Sequence, residues 1–187
     1  QLGGQIDTLQ ASFNKLVATS GATTLSLDSL RKATNNTVSD VKLLQSANQA
    51  LLLGLPMDGF AELAGSAIKL GHAMGIDAGF AVDSLTKGIG RQSKMILDNL
   101  GVVFQAKDAY AWYAKQLGVT ANQLTEAQKK EGWMAYAIAE VTKKAAELGD
   151  VTSEAQTKQE QWTASVENAK TTLGKFLAPL SGVAPIL

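Results

Sequence analysis

Apolar residues recur at alternating spacings of three and four along most of this chain. The first such stripe consists of Leu2, Ile6, Leu9, Phe13 and Leu16. This spacing places side chains on one face of an α-helix, whereas a half-buried strand needs alternation at every second residue. Residues 102–104 form the one cluster that favours a strand, and three residues make only a marginal one. The sequence therefore predicts an all-α fold in which residues 102–104 are extended.

Capping residues and glycines predict where the helices begin and end. Ser, Thr and Asp accept hydrogen bonds from the free N–H groups of a first turn, and glycine commonly follows a last turn. One helix is expected from Ser26 to Gly54, with a polar interruption at residues 34–37, and another covers residues 106–117. The other predicted starts are Asp58, Asp77, Ser93, Thr120 or Thr125, and Ser153. The other predicted ends are Gly21, Gly75, Gly88, Gly101, Gly118 and Gly149.

The glycines divide the chain into three zones. Residues 1–53 form the N-terminal helices, residues 54–118 a compact module of several short helices, and residues 119–187 long C-terminal helices. Because glycine costs about 1 kcal/mol inside a helix, frequent glycines are expected to cut the middle zone into short pieces. The flanking helices are longer and amphipathic. The chain begins with Gln1 and ends in an apolar segment, which favours a single helical fragment of a longer protein.

The composition argues against a catalytic, metal-binding or nucleic-acid-binding site. The 17 Lys and Arg residues balance 17 Asp and Glu residues, so specific binding to nucleic acid is not expected. The absence of cysteine and the single histidine exclude thiolate metal sites, cysteine nucleophiles and most catalytic triads. No catalytic residue, metal site or cofactor is predicted, and the chain is not expected to be an enzyme.

Three local patterns have simple structural interpretations. Ser66 and Lys69 match S-x-x-K, but the companion motifs that accompany a serine nucleophile are missing, so the match is interpreted as coincidence. His72 is expected to be a hydrogen-bonded structural residue. Gly71, Gly75 and Gly79 could flatten one helix face, although an end at Gly75 is preferred. Aromatic residues at helical spacing are expected in the core: Trp112, Trp133, Trp162, Tyr113 and Tyr136.

The terminal helices carry the stripes that lack an obvious local partner. The stripe near the C-terminus consists of Trp162, Val166, Ala169, Leu173 and Phe176. Such stripes form the seams of helical bundles. The N-terminal stripe is expected to pack either on another chain or on the helix that contains Trp162 and Leu173.

One stretch carries more specific information. It contains Arg91, Gln92, Ser93, Lys94, Met95, Ile96, Leu97, Asp98, Asn99, Leu100 and Gly101. This stretch resembles the R-Q-S-P-M-I-L-D-N-L-G pattern of tail tape measure proteins from long-tailed, siphovirus-like bacteriophages and related proviruses, with Lys94 in place of the usual proline. A second block at residues 113–130 resembles the family's Y-A-x-x-L-G-x-x-x-x-x-L-T-x-A-x-K-K. Ile96, Leu97 and Leu100 are expected to be buried, so that the motif residues act structurally.

The resemblance implies a structural protein of the virion tail, present in the host cytoplasm during assembly. Members of the family set tail length, template assembly of the tail tube and take part in DNA ejection. The implied partners are other copies of the chain, the tail tube protein and tail assembly chaperones, with membrane contact only during ejection. Two alternatives stay open, a helical protein–protein interaction module and a membrane-active segment of a tail protein.

Overall fold

A computed structural model describes residues 2–22, 24–149 and 154–177. In these ranges the chain folds into helices without a β-strand, which confirms the predicted all-α class. The helices are α1 (Leu2–Ser20), α2 (Leu27–Ala33), α3 (Asp40–Leu53), α4 (Phe60–Ala73), α5 (Ala78–Gly90), α6 (Lys94–Leu97), α7 (Ala106–Leu117), α8 (Glu126–Leu148) and α9 (Glu154–Leu177). Two short 3-10 turns, Asp98–Leu100 and Ala121–Gln123, lie between them.

Most predicted helix starts are confirmed because their capping bonds are local. The hydroxyl of Ser26 accepts the N–H of Ser29 at 3.0 Å, and a carboxylate oxygen of Asp77 accepts the N–H of Phe80 at 3.0 Å. Thr120 and Thr125 both form capping boxes, the first for a 3-10 turn and the second for α8. The predicted cap at Ser153 lies outside the described residues.

Two predicted boundaries are wrong. Asp58 does not cap α4; the cap is Gly59, whose φ of 76° sets the entry of the chain without a side-chain bond. The single helix expected from Ser26 to Gly54 is two helices, α2 and α3. The polar run breaks it, because Asn35 and Asn36 adopt positive φ angles of 50° and 55° that no α-helix can continue through.

Helices α1 through α8 all contribute to one hydrophobic core. Helix α4 packs against α5 and α8, α3 packs against α1 and α5, and α7 packs against α8. Phe13 of α1 is 2% exposed and belongs to the same core as Leu44, Leu85 and Val141. Helix α1, which carries the N-terminal stripe, also packs against α9, the helix that contains Trp162 and Leu173. This agrees with the second of the two expectations for the stripe; the side chain of Leu2 lies outside the described residues.

Several glycines act as contact points inside helices. Gly65, Gly71 and Gly88 lie within α4 and α5, so the prediction that glycines cut these helices is wrong at these positions. A Cβ at Gly65 would lie 2.6 Å from the carbonyl oxygen of Ala33, and one at Gly88 would lie 2.6 Å from Leu97 Cδ2. The missing side chains allow elements to approach closely. The preferred end at Gly75 is confirmed, since α4 stops at Ala73 and α5 begins after Asp77.

An aromatic cluster connects α7 and α8. Residues 102–105 form neither helix nor strand, and Val102 and Phe104 are buried while Val103 is 61% exposed. The ring of Phe104 lies 5.1 Å from the ring centroids of both Trp133 and Tyr136. Trp133 is 2% exposed, as predicted for a core residue. The same prediction is wrong for Trp112, which lies at the edge of the cluster and is 37% exposed.

Each of the described helices is too short or too polar to cross a membrane.

Candidate assembly surface

Helix α9 packs with the opposite face from the one predicted. Trp162 is 65% exposed and Leu173 is 60% exposed, so the expectation that Trp162 lies in the core is wrong. The buried positions are Ala164 and Thr171, and α9 packs mainly against α1 and also contacts α3. Phe176, the last residue of the predicted stripe, has a side chain outside the described set. Polar contacts to the ends of other helices also hold α9 in this orientation.

Glu160 provides the first of these contacts. Its Oε2 lies 2.8 Å from Nε2 of His72, a side chain that is 2% exposed. Its Oε1 accepts the backbone N–H of Ala78 at 3.2 Å, at the start of α5. A carboxylate is favourable there because the first N–H groups of a helix lack partners and carry partial positive charge. His72 is thus the hydrogen-bonded structural histidine that the sequence predicts, and its partner lies 88 residues away.

Asn168 and Gln161 provide two further contacts at helix ends. The side-chain oxygen Oδ1 of Asn168 accepts the backbone N–H of Asp40 at 2.9 Å. Asp40 is the first residue of α3. Ser39 precedes that helix but makes no capping bond, so the side chain from α9 replaces it. Nε2 of Gln161 donates to the carbonyl of Asn35 at 2.8 Å, just after α2. Helix α9 therefore satisfies backbone groups at the ends of three other helices.

An ion pair fixes the position of the α3 start. Both nitrogens of the Arg31 fork, Nε and Nη2, donate to the Asp40 carboxylate at 2.7 Å. The hydrogen bond to Asp40 raises the pKa of Arg31 above its ordinary value. Bidentate pairs of this type are geometrically specific, so α2 and α3 hold the N–H of Asp40 in place for Asn168.

A cavity of about 230 Å³ lies between α3, α5 and α9. Its lining includes Lys42, Asp77, Glu167 and Ser39. The hydroxyl of Ser39 and Nδ1 of His72 are buried without a hydrogen-bond partner among the described residues. The lining mixes both signs of charge, and within the described ranges no three His, Cys, Asp or Glu side chains are arranged to hold a metal ion.

The motif of residues 91–101 forms a compact turn between α5 and α7. Ser93 caps α6 by accepting the N–H of Ile96, and Gly101 ends the following 3-10 turn with a φ of 67°. Leu97 and Leu100 are buried at 0% and 1% exposure, as predicted. Ile96 is only half-buried, because the four-residue α6 turns it toward the surface.

The polar residues of the motif connect to neighbouring helices or face solvent. Nε2 of Gln92 donates to the carbonyl of Lys130 at 3.3 Å, and Nδ2 of Asn99 donates to Ser84 Oγ at 3.3 Å. Arg91, Asp98 and the 84% exposed Met95 lie on the surface. The buried leucines and these two bonds give the motif a role in folding.

Ser66 is engaged within its own helix. Its hydroxyl donates to the carbonyl of Glu62 at 3.1 Å, which is an ordinary bond of a helical serine. This contact supports the interpretation of the S-x-x-K match as coincidence.

The residues that position α9 could not be identified from the sequence. Glu160, Gln161 and Asn168 are separated from their partners by 82 to 128 residues. The one available signal was His72, since a lone histidine among small residues requires a hydrogen-bond partner when it is buried. The histidine does not indicate which side chain provides that partner.

No protein-family model matches this sequence, and no solved structure matches its fold. The features that bear on function are the two sequence blocks within residues 91–130 and the exposed face of α9.

Proposed function

We propose that this chain is a structural segment of a tail tape measure protein from a long-tailed bacteriophage or provirus. The parent protein would set tail length, template tube assembly and contribute to DNA ejection. Its partners would be other copies of itself, the tail tube protein and tail assembly chaperones. It would occupy the virion tail after assembly in the host cytoplasm and would act without catalysis.

The burial pattern of residues 91–101 is the observation that carries the proposal. The block that resembles the family contributes Leu97 and Leu100 to the core and exposes Arg91 and Met95. Because this block packs between helices, its role is in folding. The element shared with the family would therefore be a structural unit and not a catalytic site.

Helical architecture is compatible with a ruler. A helix rises 1.5 Å per residue, so α8 with 23 residues spans about 35 Å. A chain built of helices therefore converts residue number into length. A formal net charge of +0 also limits attraction to the DNA that shares the tail lumen.

Removal of the whole segment from the parent protein tests the proposal. Tails carrying the deletion should be shorter by at most about 280 Å, which is the length of 187 residues in one continuous helix. Because the helices pack side by side, the measured loss should be smaller if the segment stays folded in the tail. Electron microscopy of purified tails provides the measurement.

Two controls make the result interpretable. Replacement of the segment by a designed helical sequence with the same number of residues should restore at least the original tail length. Ser66→Ala should leave tail length and infectivity unchanged. Tails of unchanged length after the deletion would contradict the ruler.

A protein–protein interaction module is the second candidate. The exposed face of α9, with Trp162 at 65% and Leu173 at 60% exposure, favours it because large apolar side chains at helical spacing are typical of interfaces. Binding of the chain to a partner outside any tail, with tail length unaffected by the deletion, would favour this function over the ruler.

A further inference from the structure

The cavity between α3, α5 and α9 contains two carboxylates that the fold itself uses. Glu160 binds His72 and the N–H of Ala78. Asp77 caps α5 by accepting the N–H of Phe80. These two groups hold helices in place, so they do not explain the remaining polar groups of the cavity.

Three other groups of the lining have no such role. Neither the Lys42 ammonium nor the Glu167 carboxylate forms an ion pair or hydrogen bond with another described residue. The hydroxyl of Ser39 also lacks a partner among the described residues, although Ser39 is only 3% exposed. A buried hydroxyl without a hydrogen bond is uncommon and costs free energy. The cavity therefore offers one positive group, one negative group and one buried hydroxyl.

The two charges belong to different walls of the cavity. Ser39 and Lys42 lie at the start of α3, whereas Glu167 lies on α9. The side chain of Lys42 crosses the first turn of α5, where its Cδ and Nζ lie 3.1 and 3.3 Å from the position that a Cβ on Gly79 would take. The missing side chain of Gly79 thus leaves room for the lysine at the cavity. The partial positive charge of the α3 N-terminus adds to that of the lysine on this wall.

We infer that this cavity binds a small zwitterion of the α-amino acid class. The carboxylate of the ligand would accept hydrogen bonds from Lys42 Nζ and from the Ser39 hydroxyl. Its ammonium group would donate to the Glu167 carboxylate. Hydrogen bonds between charged groups are the strong ones, and a simple anion or a simple cation would satisfy only one of the two walls.

The volume of the cavity restricts the ligand to a small one. About 230 Å³ corresponds to about seven water molecules, which is below the usual range of sites for drug-sized ligands. An amino acid with a short side chain, such as threonine or valine, has this size. Val38, Ala78 and Ala164 also line the cavity and provide apolar contacts for that side chain. The inference goes beyond the proposed function, because binding of a small ligand does not require tail assembly.

An NMR titration of the full chain tests the site. L-threonine and L-valine, added to about 10 mM, would reveal dissociation constants of about 1 mM. Saturable shifts are expected for the backbone amides of Lys42, Gly79 and Ala164. N-acetyl-L-threonine lacks the ammonium charge and L-threonine amide lacks the carboxylate, so each should bind at least about tenfold more weakly than L-threonine. The absence of saturable shifts with both amino acids would overturn the inference.

Two variants test the charged walls. Glu167→Gln and Lys42→Met should each raise the dissociation constant of the amino acid by at least about tenfold. Glu154→Gln and Lys94→Met make the same changes at exposed positions that do not line the cavity, so they should leave binding unchanged. Binding that survives both cavity variants would take place elsewhere and would overturn the inference.

Ser39→Ala separates ligand binding from stability. Because the hydroxyl has no partner among the described residues, its removal should not lower the melting temperature of the ligand-free chain. The same variant should raise the dissociation constant for L-threonine. Thermal unfolding followed by circular dichroism and the NMR titration measure the two effects. An unchanged dissociation constant would overturn the assignment of Ser39 to the site.

Discussion

Replacement of Gly65 by alanine should destabilise the protein although alanine is the better helix former. Gly65 lies in the interior of α4, where the change alone would gain about 1 kcal/mol of helix propensity. The added Cβ would lie 2.6 Å from the carbonyl oxygen and 3.6 Å from the carbonyl carbon of Ala33. Steric repulsion at the end of α2 therefore opposes the gain in propensity.

The steric term should be the larger one. Ordinary Cβ contacts begin at 3.4 Å, so α2 and α4 would have to separate by most of an ångström. The atom in the way belongs to the backbone, which cannot rotate aside as a side chain can. Overpacking of this type costs about 1–3 kcal/mol, which after the gain of about 1 kcal/mol in helix propensity leaves a net loss of up to about 2 kcal/mol in the free energy of unfolding. In a chain of this length the melting temperature should fall by up to about 8 °C.

Gly4→Ala is the matched control. Gly4 also lies in a helix, α1, but no atom lies within 4 Å of its added Cβ. This variant should gain up to about 1 kcal/mol. Thermal and urea unfolding followed by circular dichroism would measure both variants. If Gly65→Ala stabilises the protein as much as Gly4→Ala does, the close approach of α2 and α4 is incorrect.

Three further variants test separate contacts. Gly101→Ala should lower the free energy of unfolding by about 1 kcal/mol in urea titrations, because the residue has a φ of 67°. Glu160→Gln should lower it by about 1–3 kcal/mol by weakening a charge-assisted network, whereas Glu154→Gln, at an exposed position, should change it little. The hydrogen bond to Glu131 raises the pKa of Tyr113, so Glu131→Gln should shift the ultraviolet titration of this tyrosine to lower pH. In the unmodified protein that bond should persist at neutral pH and be lost as the pH rises through the raised pKa.

Local interactions made most helix ends predictable. The caps at Ser26 and Thr125 depend on bonds across three residues, and these can be recognised in the sequence. The break between α2 and α3 was harder to predict from the sequence, because a polar run can also be helical. Only the structure shows that Asn35 and Asn36 have positive φ angles. Asp58 is not the cap of α4 because the adjacent Gly59, in the left-handed conformation, occupies the N-cap position.

The orientation of α9 could not be predicted from periodicity. Spacing identifies residues that share a face, but it does not determine which face packs inward. The sequence suggested the face of Trp162 because it is the more apolar one. The opposite face packs because Glu160 and Asn168 satisfy helix ends that would otherwise lack partners. Internal glycines raise a similar difficulty, since Gly65 can only be recognised as a contact point when the position of Ala33 is known.

The contacts of α9 have a consequence for the order of folding. Its bonds to Ala78, His72, Asn35 and Asp40 connect residues that are 82, 88, 126 and 128 positions apart. Contacts across long separations close slowly because the loop entropy is lost before the contact forms. During synthesis the ribosome delivers α1 to α8 first, so the N–H groups of Asp40 and Ala78 must wait for α9 to provide their side-chain partners. Docking of α9 should be the last step of folding, and hydrogen exchange during refolding should detect it as late protection of the Asp40 and Ala78 amides.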